Sequence, residues 1–189
     1  MPNIKRTLIL FTCLFSICLS AQLKVSGINV PLVFNSGENA LILNGAGVRV
    51  KYFMDMYVGA LYLKNKSGDA ARIMEADEAM CMQLQIVSGL ITSEKMNEAV
   101  DEGFKKSTGG NTNSLQARIN QFKAVFNEKI TKGDVYQMVY QKNKGTQIYK
   151  NGKLSCTIPG LDFKTALFGI WLCRQPADSG LKQKLLNLD

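Results

Sequence analysis

The chain has 189 residues, 46% of them hydrophobic, and 23 Lys and Arg against 15 Asp and Glu, for a formal net charge of +8. It contains no histidine, which excludes Ser-His-Asp and Cys-His catalysis, imidazole metal sites and the commonest general base. A basic excess can serve nucleic acid or anionic lipid, but here the lysines are scattered and not interleaved with stacking aromatics, so no nucleic-acid partner is expected.

Lys5 and Arg6 open a basic start, Leu8 to Leu19 runs without a charge, and Ser20 and Ala21 close it. This is the pattern of a secretory signal peptide over residues 1–21, too short to span a bilayer. It predicts export to the periplasm or the exterior. Residues 22–189 remain as one domain, with net charge +6 once Lys5 and Arg6 are subtracted from +8. No later stretch is apolar enough to cross a membrane. Cys13 and Cys18 leave with the leader. Cys81, Cys156 and Cys173 remain, enough for one bridge and a spare thiol, or for none.

Strands are expected at Gln22 to Phe34 and Ala40 to Lys51, broken by Asn-Ser-Gly at 35–37. Met54 to Lys64 alternates, with Met54, Met56, Val58 and Ala60 on one face and Tyr57, Gly59, Leu61 and Leu63 on the other. Both faces are largely apolar, which predicts a central strand covered on both sides. A short helix follows at Asp69 to Ala76, then a strand from Met80 to Ile86. Thr92 or Ser93 can cap a helix with Glu94 in its first turn. Met96, Val100 and Phe104 share one face of it, and Gly109-Gly110 ends it. A second helix from about Ser114 carries Leu115, Ile119, Phe122 and Phe126 inward. Asp134 to Gln141 and Thr146 to Ile158 read as strands, with Asn151-Gly152 as a hairpin turn. Asp162 is placed to cap an apolar helix through Trp171, and Asp178 a last helix with Leu181, Leu185 and Leu186 buried. Strands in runs and helices in pairs predict an α+β fold, an antiparallel sheet backed by helices.

Few groups point to chemistry. Gly45-Ala46-Gly47-Val48-Arg49-Val50 lacks the third glycine of a dinucleotide loop and leads into a strand, so no cofactor is expected. Glu75, Asp77 and Glu78 read as a solvated helix end, and no metal site or catalytic constellation is expected. Lys142, Lys144, Lys150 and Lys153 gather around one predicted hairpin as a solvated basic tip, with weak contact to an anionic membrane surface as its functional reading. Arg49 is carried between apolar neighbours into the sheet and must meet an anion there. With the Tyr57 hydroxyl nearby, its fork would form a receptor for one carboxylate. An internal salt bridge or an exposed Arg49 is the alternative.

The stretch Leu43-Asn44-Gly45-Ala46-Gly47-Val48-Arg49 followed by Tyr57 to Leu63 resembles the chalcone isomerase-like proteins of bacteria. So do Thr92-Ser93-Glu94-Lys95 with Glu102-Gly103-Phe104, Ile158-Pro159-Gly160, and above all Ala166-Leu167-Phe168-Gly169-Ile170-Trp171-Leu172. The resemblance runs through the mature chain in order. It implies a chalcone isomerase-like open-faced sandwich with a ligand cleft between sheet and helices. It also implies a choice between an enzyme branch and a fatty-acid-binding branch. Of the enzymes' Arg, Thr, Tyr, Asn and second Thr, the Arg is matched by Arg49. The other four fall at Tyr57, about Thr92, about Ala99 and near Ile170. The binding branch's carboxylate contacts are matched by Arg49 and Tyr57. The expectation is therefore non-catalytic binding of a fatty acid or similar amphiphilic carboxylate. A lyase or isomerase acting on an enone and a ligand-free envelope protein are the alternatives.

Overall fold

The computed structural model describes residues 22–37 and 39–188. The predicted leader lies outside these residues. Among the described residues, no helix is long and apolar enough to cross a membrane.

The chain opens with β1 (Gln22–Val25) and β2 (Ile28–Pro31), a small antiparallel hairpin. Then come β3 (Val33–Ser36), β4 (Asn39–Lys51) and β5 (Met54–Leu63). The expected first strand is thus three short ones. A two-residue turn at Ser26-Gly27, both at positive φ, divides the first pair, and Leu32 lies between the second and third. Helix α1 (Ala70–Glu75) leads to β6 (Met80–Ile86), α2 (Ser93–Ser107), a 3-10 turn at Asn113–Leu115, and α3 (Gln116–Ala124). Strands β7 (Val135–Gln141), β8 (Gly145–Lys150) and β9 (Lys153–Ile158) precede α4 (Leu161–Leu172) and α5 (Ser179–Leu186).

Strands β3 to β9 form one antiparallel sheet in sequence order. The helices cover one face, burying Leu61, Met82, Leu84, Tyr136, Met138 and Ile148 against them. The hairpin β1–β2 covers part of the other face, over Val58, Ala60, Tyr62 and Cys81. β5 is therefore buried on both sides, as its two apolar faces require. Helix α4, apolar all round, is the innermost helix. Its first turn is not capped by Asp162. Gly160 takes the N-cap position, and Asp162 instead accepts two bonds from the Arg118 guanidinium, at 2.7 and 2.5 Å. That fork ties α3 to α4.

Two β-bulges decide which residues face the helices. Leu43 pairs with Tyr62 and Gly45 with Leu61, so Asn44 is the extra residue on β4. Its buried amide donates to the carbonyls of Ser67 (2.9 Å) and Leu185 (2.8 Å) and accepts from the Ser67 amide (2.8 Å). Beyond it, Gly45 and Gly47 lie beneath α5. A Cβ on Gly45 would stand 2.7 Å from the Leu185 carbonyl oxygen and closer still to that of Lys184. The glycine pair is a bed for a helix, not a cradle for phosphate.

The second bulge sits one turn further along. Arg49 pairs with Tyr57 and Val50 with Asp55, leaving Met56 extra on β5. The even alternation expected there breaks at this point. Met54 and Met56 do not share the outer face with Val58 but join Tyr57 on the helix side.

Three charged features differ from expectation. Lys142 and Lys144 lie in the β7–β8 turn, whereas Lys150 and Lys153 flank the turn at the other end of β8. Six residues of strand put the two pairs about 20 Å apart, so no basic tip forms. Lys142 pairs with Asp77 at 3.2 Å and Lys150 with Glu128 at 3.1 Å. Asp77 also accepts from the Tyr140 hydroxyl at 2.6 Å, so it braces the sheet and is not merely solvated. Lys164 of α4 is fully buried and donates to the carbonyls of Ile73, Met74 and Ala76 at 2.7–2.9 Å. It closes the C-terminal end of α1, where carbonyls lack helical partners. Burial pulls its pKa down to about 8.

Gly45→Ala should lower stability by about 2 kcal/mol or more, because helix backbone must move to admit the methyl group. Thermal denaturation should show a midpoint lower by roughly 4–8 °C. Lys164→Met keeps the volume but takes the Lys164 donor from the Ile73 and Ala76 carbonyls, while Met74 keeps its bond from Thr165, and should cost about 3 kcal/mol by urea denaturation.

Candidate functional site

Where β4 and β5 run past the end of α5, an open cleft of about 320 Å³ lies between these strands and α2. The volume is at the low end of the ~300–1,000 Å³ typical of small-molecule sites. Its apolar wall comes from Met54, Met56, Leu90, Ile91 and Met96, and its charged groups are Arg49, Lys51, Lys95, Glu98 and Glu102. Behind it is a second space of only about 20 Å³, lined by Leu84, Val100, Phe122, Phe126, Ile170 and Trp171. Arg49, Tyr57, Met96 and Ala99 line both and form the neck between them.

The cross-strand pairing of Arg49 with Tyr57 explains their meeting. The Arg49 guanidinium carbon lies 5.6 Å from the centre of the Tyr57 ring, within cation–π range. Tyr57 is buried, and its oxygen accepts a 2.8 Å hydrogen bond from Trp171 Nε1. An indole nitrogen can only donate, so the phenol proton is left to be given elsewhere. Trp171 thereby fixes the ring and leaves a donor beside the guanidinium.

Neighbouring acids do not neutralise Arg49. Among the described residues no carboxylate forms an ion pair with it within 4.0 Å. Glu102, close enough to feel the Arg49 charge, is paired with Lys106 at 2.6 Å. Asp178 caps α5 through the Leu181 amide (2.8 Å) and also accepts from the Val50 amide (3.3 Å). The internal salt bridge considered for Arg49 is not formed among these residues. The cleft therefore presents a guanidinium and a neutral phenol at the base of an apolar wall, which is the donor set for a carboxylate.

A family model for chalcone isomerase-like proteins matches residues 21–187. The chain belongs to the chalcone isomerase-like family. A fatty-acid-binding protein of Arabidopsis thaliana shares the fold, with a TM-score of 0.67 over 86% of this chain and 93% of that one, at 19% identity. A comparison with curated proteins returns no match.

The positions that the resemblance sets against the isomerases' polar groups can now be placed. Ala99 lies at the neck and Ile170 in the inner space, both apolar. The Thr92 hydroxyl caps α2 by accepting from the Lys95 amide at 3.2 Å. Arg49 and Tyr57 are the two such positions that bring polar groups to the cavity. Sequence reading named both but missed Trp171 as a polar partner, although a buried indole N–H needs an acceptor and signals one. It also missed Met56, which only the bulge turns inward, and Lys95 and Met96 of α2 as cleft residues. The cleft expected between sheet and helices does not extend beneath α4, where Phe104, Phe122, Phe126 and Phe163 fill the space with ring centres 5.3–6.3 Å apart. Of the described cysteines, Cys81 and Cys173 are buried, Cys156 is half-buried, and all three are unbridged. No group of acidic or cysteine side chains suited to a metal occurs among the described residues.

Burial raises the pKa of Tyr57, against the opposing pull of Arg49 and the bond from Trp171. The folded chain thus keeps a proton that the unfolded chain loses near the ordinary value of 10.0. Stability should fall as pH rises above that value. Thermal melts between about pH 9 and about pH 11 should show this fall, and Tyr57→Phe should reduce its slope while lowering the midpoint at neutral pH, because Trp171 loses its acceptor.

Proposed function

We propose that the protein binds a fatty acid or a similar amphiphilic carboxylate without transforming it. The observation that carries this reading is the Arg49–Tyr57 pair at the neck of an apolar cleft, with Trp171 bonded to the phenol oxygen so that the phenol proton stays available to an acceptor. The fold shared with the fatty-acid-binding protein of Arabidopsis thaliana supports it.

The geometry also orients the ligand. The inner space of about 20 Å³ admits little more than one small group. The carboxylate would sit at the neck and the alkyl chain would run outward along Met54, Met56, Met96 and Ile91. Methionines suit such a wall, because their unbranched thioethers adapt to chains of differing shape. A cleft of 320 Å³ favours a medium-length chain. Burying ~10 methylenes at ~0.8 kcal/mol each gives ~8 kcal/mol. Charge-assisted hydrogen bonds add ~1.5–3 kcal/mol, and losses of motion subtract several. Micromolar affinity is the expected result.

Native mass spectrometry of the mature chain from its producing cell, followed by analysis of released lipid, tests the ligand class directly. In titrations with a medium-chain acid, Arg49→Ala should weaken binding by about tenfold to a hundredfold. Equal affinity in parent and variant would remove the anchor assignment.

A further inference from the structure

The β4–β5 turn at the mouth of the cleft is unusual in this sheet. Three two-residue turns place both central residues at positive φ: Ser26-Gly27, Tyr52-Phe53 and Asn151-Gly152. That conformation favours Asn or Gly, and two of the three turns use them. The third places two aromatic residues there, at φ 51° and 62°, where bulky side chains are strained. Folding gives them no compensating burial. Tyr52 is 78% exposed and Phe53 is fully exposed. Met54 and Leu90, both exposed, extend the same apolar rim to the cleft. Strain retained without packing points to a role outside the folded chain.

We infer that Tyr52-Phe53 is a wedge that enters the headgroup region of an anionic bilayer and sets the cleft mouth against it. Aromatic side chains with lysines beside them are the composition that settles at a bilayer interface. Lys51 lies over the Tyr52 ring at 5.5 Å, and Lys95 tethers the rim loop through the Leu90 carbonyl at 3.3 Å. With Arg49 they outnumber Glu98 and Glu102 at the mouth. A two-residue projecting tip is far smaller than the ~1,200 Å² that a stable protein interface buries, so a lipid surface fits it better than a protein partner. The contact is placed at this turn, not at the lysines flanking β8. Entry of an acyl ligand from the bilayer rests on the binding function proposed above. The membrane contact itself does not.

The test is flotation of the mature protein with mixed phosphatidylglycerol–phosphatidylcholine vesicles and with pure phosphatidylcholine vesicles. Parent protein should float with the mixed vesicles, less so at high salt, and Phe53→Gly should weaken partitioning by about tenfold or more. Glycine suits the turn, so this variant should melt no lower than the parent and keep its affinity for dissolved acid. Phe53→Trp should float like the parent, and its emission should shift to the blue on vesicles, since the chain's one Trp is buried. Failure of the parent to float, or equal flotation of Phe53→Gly, overturns the inference, as does a dimer that Phe53→Gly abolishes. Loss of acid binding by parent protein that still floats would overturn the proposed function alone.

Discussion

The closeness of α5 to β4 is the constraint on which the site depends. A methyl group on Gly45 would overlap helix backbone, and one on Gly47 would stand 2.7 Å from the Lys184 side chain. Side-chain-free backbone on the helix-facing side of β4 lets α5 settle directly on the strand. The next residue on that side is Arg49, and there the bed ends. Asp178, at the start of α5, binds the Val50 amide and anchors the helix at that point. A long cation thus appears just where the covering helix stops, and it reaches into the cleft without being buried under the helix.

Helix α4 supplies the other half of the arrangement. It is apolar on every side, and such a helix has no pattern of its own to fix its rotation or its slide along the sheet. Polar bonds along its length do so. Lys164 near its start closes the end of α1, and Trp171 near its end reaches the Tyr57 hydroxyl, 114 residues away in sequence. Ser107 of α2 binds the Ala166 carbonyl between them at 2.7 Å. Buried polar groups of this kind bind strongly only in one register, so they specify a position as much as they stabilise it. Moving α4 along its axis would break the bond that orients the phenol. The tyrosine at the neck of the cleft is therefore held by the most deeply buried helix among the described residues.

Much of this was legible in the sequence. The order of strands and helices, the caps at Thr92 and Asp178 and the Asn151-Gly152 turn followed from local rules, because each depends on residues a few positions apart. Arg49 and Tyr57 were singled out for a different reason, a charge inside an apolar run, and the structure brings the two together across β4 and β5. What could not be read depends on pairing between distant segments. Met56 turns inward only because β4 and β5 slip by one residue, and alternation counted along one strand cannot show that. The lysines around β8 looked clustered in sequence and are separated by the strand itself. Asp162 had the residue type of a cap, but the guanidinium of Arg118, 44 positions earlier, claims it. The filled space beneath α4 reflects phenylalanines from α2, α3, the residues after α3, and α4, whose meeting is a tertiary fact.

The filled inner space and the apolar rim belong together. Phe122 and Phe126 close the neck from within, so an amphiphile held by Arg49 and Tyr57 as proposed would point its chain toward the mouth. A chain directed outward needs an apolar exit, and Tyr52, Met54 and Leu90 line that exit. The reverse orientation would put the carboxylate in solvent and leave Arg49 desolvated without an anion, which is the costlier arrangement. The same outward direction would bring the methyl end of the ligand to the part of the surface where water is least favourable for the protein as well. Exposed aromatics that make little sense for an isolated chain become consistent once the cleft is read as opening toward lipid.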